Sequence, residues 1–158
     1  RPEDLPLNVR GLQLQMGEEH AYEIYDRQLG ELNAAMLAQE RLRQHGAVLF
    51  PLVGLQSVST ALAGTDLRQH LDFMHAAEVH RRVIQKLMND AVMLRPLNAG
   101  EVYIAGQEMW AKVPHFVHEP ASLATVLSRN ALPLAVLLAW LVGALWFALR
   151  STRRLTPI

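Results

Sequence analysis

Residues 131–149 read ALPLAVLLAWLVGALWFAL, nineteen residues without a charge. At about 1.5 Å of rise each, a helix of that length extends roughly 28 Å, close to the ~30 Å of a bilayer's hydrocarbon. Pro133 falls in the first turn, where a missing N–H does little harm, and Gly143 is the only other helix-weakening residue. Arg150, Arg153 and Arg154 follow at once. Three arginines in five residues make a stop-transfer signal, and the positive-inside rule puts them in the cytoplasm. A buried core helix is the competing reading. It is disfavoured because core helices seldom stay free of charge for so long.

That orientation places residues 1–130 outside, unless another segment crosses. The chain opens Arg1-Pro2-Glu3-Asp4, with no initiator Met and no apolar signal sequence. The expectation is therefore the C-terminal piece of a longer, multi-spanning protein, its earlier part having carried residues 1–130 across the membrane. Fifteen basic and fifteen acidic residues cancel, which leaves no basic face for nucleic acid. With no Cys, disulfides, thiolate metal sites and Cys nucleophiles are excluded.

The upstream pattern is helical. Pro2, Pro6, Gly11 and Gly17 predict a loop or a short broken helix over 1–17. From Glu18 to about Gln44, Tyr22, Tyr25, Leu29, Leu32 and Met36 recur at spacings of 3 and 4, a narrow stripe on one long helix. Gly46 is a plausible residue just past its C-terminus. Residues 47–63 carry no charge. Leu52, Leu55, Val58 and Leu62 make one face and Gln56, Ser57, Ser59 and Thr60 the other, which predicts a short amphipathic helix lying on the membrane surface or against other helices. A second crossing here is the less favoured alternative and would return residues 1–46 to the cytoplasm. Thr65 or Asp66 caps the next helix, which runs to about Asn89–Leu94, before Pro96. Residues 95–120 form a long connection, with a turn at Asn98-Ala99-Gly100 and a short strand at 101–105. Met109-Trp110, Val113-Pro114, Phe116 and Pro120 are its apolar anchors, and Trp110, Pro114 and Phe116 are read as a strap over the helices, or else as a partner surface. Ser122 is positioned to cap a last short helix leading through Arg129 and Asn130 into the apolar run. The fold class is all-α: a helical extracytoplasmic domain over 1–130, a transmembrane helix over 131–149 and a cytoplasmic tail over 150–158.

Little chemistry is visible. His70, His75 and His80 recur every five residues. Five residues turn a helix by about 500°, so each is offset by about 140° from the last and they share no face. His115, His118 and Glu119 form HxxHE, the edge of a metal site at most, since a further ligand is not supplied by the sequence. Ordinary surface or hydrogen-bonding histidines are the preferred reading, and a His-based metallohydrolase is the remote one. No Ser sits in a nucleophile elbow. Asp26 beside Arg27, Asp72 with His75, and Glu78 with Arg81 and Arg82 read as ion pairs rather than as acid–base pairs. No Walker A sequence is present. The chain is expected to be no enzyme, with no catalytic, cofactor-binding or metal residues of its own.

Several strings together carry a resemblance. They are Leu5-Pro6-Leu7-Asn8, Gly11-Leu12-Gln13-Leu14-Gln15 with Gly17-Glu18-Glu19, and Ser57 to Asp66 (SVSTALAGTD). His70, Phe73, Ala76-Ala77-Glu78 and Arg81-Arg82 follow, then Leu87-Met88-Asn89-Asp90, Met109 to Phe116 (MWAKVPHF) and the final apolar run with its arginines. In this order they resemble the C-terminal third of a bacterial family of ABC transporter permeases of the type 2 exporter kind, whose large extracytoplasmic domain has no assigned function. His80 stands where that family leads us to expect an aromatic residue. The resemblance implies a multi-pass subunit of the bacterial inner membrane. Its partners would be the lipid bilayer, a separate cytoplasmic ABC ATPase holding ATP and Mg, and in some arrangements a second permease copy or subunit. It implies export of an unknown substrate and supplies no catalytic residues. The rival is a membrane-anchored extracytoplasmic sensor or interaction module without a transport role.

Overall fold

A computed structural model describes residues 9–94 and 104–153, and among them every regular element is a helix. In chain order they are α1 (Val9–Gly46), α2 (Pro51–Leu62), α3 (Leu67–Met93), α4 (Gln107–Trp110), α5 (Leu123–Arg129) and α6 (Ala131–Thr152). The chain divides into two compact units. One takes it up to Leu32 and from Phe73 to His118, the other from Asn33 to Asp72 and from Glu119 onward. The divisions fall inside α1 and α3.

In the first unit α1 begins at Val9, not at Glu18, and passes through both Gly11 and Gly17. The glycines expected to break it do not, and Gly11 shows why. It is buried against the end of α3, where an added Cβ would stand 2.6 Å from the Met93 backbone nitrogen. It is a close-approach residue. Beside it Asn89, also buried, donates from Nδ2 to Gln15 Oε1 at 3.2 Å. The apolar stripe of α1 is only partly covered: Tyr22 and Leu29 are half-buried, while Tyr25, Leu32 and Met36 are exposed. The turn expected at 98–100 and most of the strand expected at 101–105 lie outside the described residues, as do residues 1–8. Ile104 and Ala105 belong to no regular element.

The second unit is organised by α6. Gly46, expected just past the C-terminus of α1, is instead its last residue and has no positive φ. The chain leaves it through tight turns, with Ala47 N bonded to Gln44 O, Val48 N to His45 O and Leu49 N to Gly46 O. Pro51 then opens α2 at a first-turn position, where its fixed φ suits the helix. At the far end Gly64 takes φ +74°, and the bonds Gly64 N to Ala61 O and Thr65 N to Thr60 O close a Schellman motif. Asp66, one of the two expected caps, accepts from Gln69 N at 3.0 Å. Gln69 Nε2 in turn donates to Ala61 O at 2.7 Å, so the start of α3 also caps α2.

α2 packs on α6 and touches α5. At 12 residues, about 18 Å, it is too short to cross a bilayer. Its buried side is Gly54, Ser57 and Ala61, whereas Leu52, Leu55 and Leu62 are exposed. The side that meets α6 is thus neither of the two expected faces but a line of small residues, with Gln56 and Ser59 exposed as well. Ser122 caps α5 through its Oγ and the Thr125 N–H, as its position suggested. Asn130 joins α5 to α6: its Nδ2 donates to Val126 O at 2.9 Å, and its own carbonyl accepts from Leu134 N. Arg129 pairs with Asp72 at 2.9 Å. Among the described residues α6 is the one helix long and apolar enough to span a membrane, and it continues the expected 131–149 run through Arg150 to Thr152.

Three glycines give three different expected outcomes on thermal unfolding. Gly17, exposed in mid-helix with open space around it, should gain about 0.5–1 kcal/mol on Gly17→Ala. Gly11→Ala should lose stability because the Met93 backbone must move. Gly64→Ala should cost about 1 kcal/mol through its positive φ.

Candidate functional site

The densest polar constellation lies between α1 and α3. Arg82 reaches from α3 to Asp26 on α1, its Nη1 donating to Oδ2 at 2.9 Å and its Nη2 to Oδ1. Its Nε donates to Glu78 Oε1 at 2.8 Å. Arg81 grips Glu78 with two bonds of 2.7 Å and also donates to Gln85 Oε1. The Arg82 guanidinium carbon lies 4.4 Å from the Tyr22 ring centroid, a cation–π distance. The Tyr22 hydroxyl has Glu18 Oε2 at 3.0 Å and Gln85 Oε1 at 3.1 Å, and its single proton serves one of them at a time.

The electrostatics follow from these contacts. The Arg81 hydrogen bond, reinforced by Arg82, holds the Glu78 carboxyl at about 2. Arg82's hydrogen bond lowers Asp26. Bonding to Asp26 and then to Glu78 raises Arg82. Burial, followed by the Glu18 carboxylate, raises Tyr22. The shifts favour the charged forms of Glu78, Asp26 and Arg82, and the protonated form of Tyr22. The cluster is a clasp between two helices. The pairing differs from the expected one in two places: Asp26 is taken by Arg82 rather than by its neighbour Arg27, and Asp72 by Arg129.

The strap runs from α4 to His118. Met109 is its buried residue, while Trp110 is 50% exposed and Pro114 is exposed. Phe116 is held edge-on to Phe73 at 5.7 Å and 89°, with the His80 ring tilted against it at 5.4 Å. His80 therefore occupies the place of the aromatic residue expected there. His118 meets Phe73 edge-on at 5.3 Å. Of the HxxHE residues, His115 and Glu119 are exposed, and His118 is engaged by an aromatic ring. Among the described residues no three His, Asp or Glu side chains come together as a metal set. His70 and His75 are exposed. Met109 is one of the expected anchors, whereas the meeting of Phe73 and His80 with Phe116 was not expected. The seven-residue spacing of Phe73 and His80, two turns on one face of α3, was the available signal.

The second unit carries an apolar groove of about 520 Å³ along α6, lined by Val48, Val136, Ala139, Gly143, Phe147 and the ring of Trp140. The Trp140 indole N–H donates to the Val48 carbonyl at 3.2 Å. At the end of α6 Arg150 stacks 5.5 Å from Trp146.

A family model described as a domain of unknown function (DUF3526) matches residues 1–119. No curated protein and no solved structure matches the chain.

Two measurements probe this region. Folded-state lowering of Glu78 and Asp26 adds stability that is complete above the ordinary carboxylate range and disappears as pH falls from about 4.5 toward 2. Unfolding curves across that range should show this loss, and Glu78→Gln should lessen it. Met109→Ala should cost about 2 kcal/mol or more, and Trp110→Ala distinctly less, because half of that ring already faces outward.

Proposed function

We propose a role for this chain, which belongs to the family of domains of unknown function DUF3526: it is part of the membrane subunit (permease) of an ATP-binding cassette exporter. It contributes an extracytoplasmic helical domain and the last transmembrane helix. The observation that carries the reading is α6, charge-free over nineteen residues, largely exposed apart from the side that meets α2, and ended by arginines. Exposure supports it further. The buried apolar side chains of the described residues are Ala47, Ala61, Met109, Val126 and Pro133, while large ones such as Leu49, Leu52, Leu138 and Phe147 stay open. Surfaces of this kind are completed by lipid or by neighbouring protein.

In this reading residues 1–130 stand outside the bacterial inner membrane and the C-terminus lies in the cytoplasm. ATP and Mg belong to a partner ATPase, and the chain itself performs no hydrolysis. The domain covers the outer mouth of the pathway or docks a partner that receives substrate. An ion-paired clasp suits such mechanical work, since it holds two helices in register without a large core.

Purifying the full-length parent in mild detergent tests the reading directly. A stoichiometric ABC ATPase should come with it. If none co-purifies, and an ATPase encoded nearby fails to bind on co-expression, the membrane-anchored sensor or interaction module takes its place.

A further inference from the structure

We propose that residues 46–62 form a re-entrant hairpin, dipping into the bilayer beside α6 with its large apolar side chains in lipid hydrocarbon. The proposal rests on α6 crossing the membrane and not on transport. It goes beyond a helix lying at the membrane surface, because it fixes a depth.

The depth comes from the partners on α6. Trp140 is the tenth of the nineteen charge-free residues, about 14 Å along the helix from Ala131. Its indole bonds Val48, in the turn before α2. Six residues later, Gly54 faces Leu137, where an added Cβ would stand 3.3 Å from Leu137 Cγ. Beyond that α2 meets α5, which precedes the span. As numbers rise along α2 they fall along its partners, so α2 runs antiparallel to α6. The turn at Ala47–Phe50 is then the deepest point, and α2 climbs from mid-membrane toward the end where α6 begins. The charge-free segment is too short to cross; it supplies the turn and the returning limb, and the end of α1 supplies the entering one.

The side chains agree. Gly54, Ser57 and Ala61 face inward, while Leu49, Phe50, Leu52 and Leu55 are exposed by 72, 63, 75 and 55%. In water that arrangement is inside out. In hydrocarbon it is the usual one, because helices there associate through small residues and leave large apolar ones to the lipid. No charged side chain occurs between His45 and Asp66. On α1, the charges of Arg43 and Glu40 bond each other at 2.7 Å. Arg43 thereby reaches back up its helix, away from the turn, and exposed Arg41 lies farther from the tip.

The backbone is equipped for a site without water. Turn carbonyls of Gln44, His45 and Gly46 are bonded within the turn, and the Val48 carbonyl receives the indole. Ser57 and Thr60 return their hydroxyls to the carbonyls of Val53 and Gln56. Gln69 and Thr65 serve the carbonyls of Ala61 and Thr60 at the far end. Irregular backbone survives at membrane depth only where its polar groups find protein partners.

Site-directed spin labelling of the full-length parent in phospholipid vesicles tests this. The stretch described here has no Cys, so single cysteines can be placed cleanly once any elsewhere in the parent are replaced. Nitroxides at Leu49→Cys and Leu52→Cys should collide with oxygen rather than with an aqueous nickel chelate, to the degree seen at Leu141→Cys. Thr65→Cys should favour the nickel reagent. Nickel access at Leu49 and Leu52 with none at Leu141 overturns the hairpin and leaves the span intact. Nickel access at Leu141 as well overturns both. Shielding of Leu49 and Leu52 from both reagents means that protein, not lipid, covers them, and the proposal fails.

Discussion

A turn carbonyl 3.2 Å from an indole N–H, halfway along a charge-free helix, is the contact on which the second unit depends. Hydrocarbon supplies no hydrogen bonds, so in the proposed re-entrant arrangement a chain that leaves helical geometry beside α6 must satisfy its polar atoms internally. In the turn at 47–50 all four backbone N–H groups are bonded to carbonyls of residues 44–46, and the Val48 carbonyl receives Trp140. Everything around it is arranged to let that contact form. Gly54 allows α2 to approach Leu137, Ser57 and Ala61 continue the thin face, and the Gly64 Schellman motif ends α2 in time for Asp66 to start α3.

The first unit is held by different means. Its described residues bury Gly11, Asn89 and Met109, and α1 joins α3 mainly through charge. A single surface ion pair contributes roughly 0–1 kcal/mol, too little to align two helices. Here Arg82 is shared by Asp26, Glu78 and the Tyr22 ring, so one ordered side chain serves three contacts and the entropy of fixing it is spent once. Close approach at Gly11 then sets the spacing at one end of α1. Charge works for this unit only where water or protein surrounds it, whereas the small-residue contact of α2 with α6 works equally well without water.

Much of this was legible from local signals. The apolar run, the caps Ser122 and Asp66, the end of α3 before Pro96 and the all-helical class each follow from short-range rules acting on adjacent residues. What was not legible depended on partners distant in sequence. Gly11 and Gly17 look alike as letters, yet one meets the Met93 backbone and the other meets nothing. Leu52 and Leu55 look like a core face until Gly54 and Ala61 are seen against α6. Asp26 has an arginine next to it in sequence, but that neighbour cannot compete with Arg82, whose planar fork meets both carboxylate oxygens. At the strap, Trp110 is the largest ring, and size suggested an anchor. The smaller Met109 is the residue that fits beneath, and Phe116 is the one that finds other rings.

The junction at Asn130 has a mechanical meaning. One residue closes α5 with its side chain and opens α6 with its carbonyl, leaving no slack linker between them. A rotation of α6 about its long axis would therefore reach α5 as torque rather than be absorbed by a swivel. The Arg129–Asp72 pair, just before the junction, would pass that torque into the start of α3. α6 is thus geared to the helices beside it, as a shaft is to a crank.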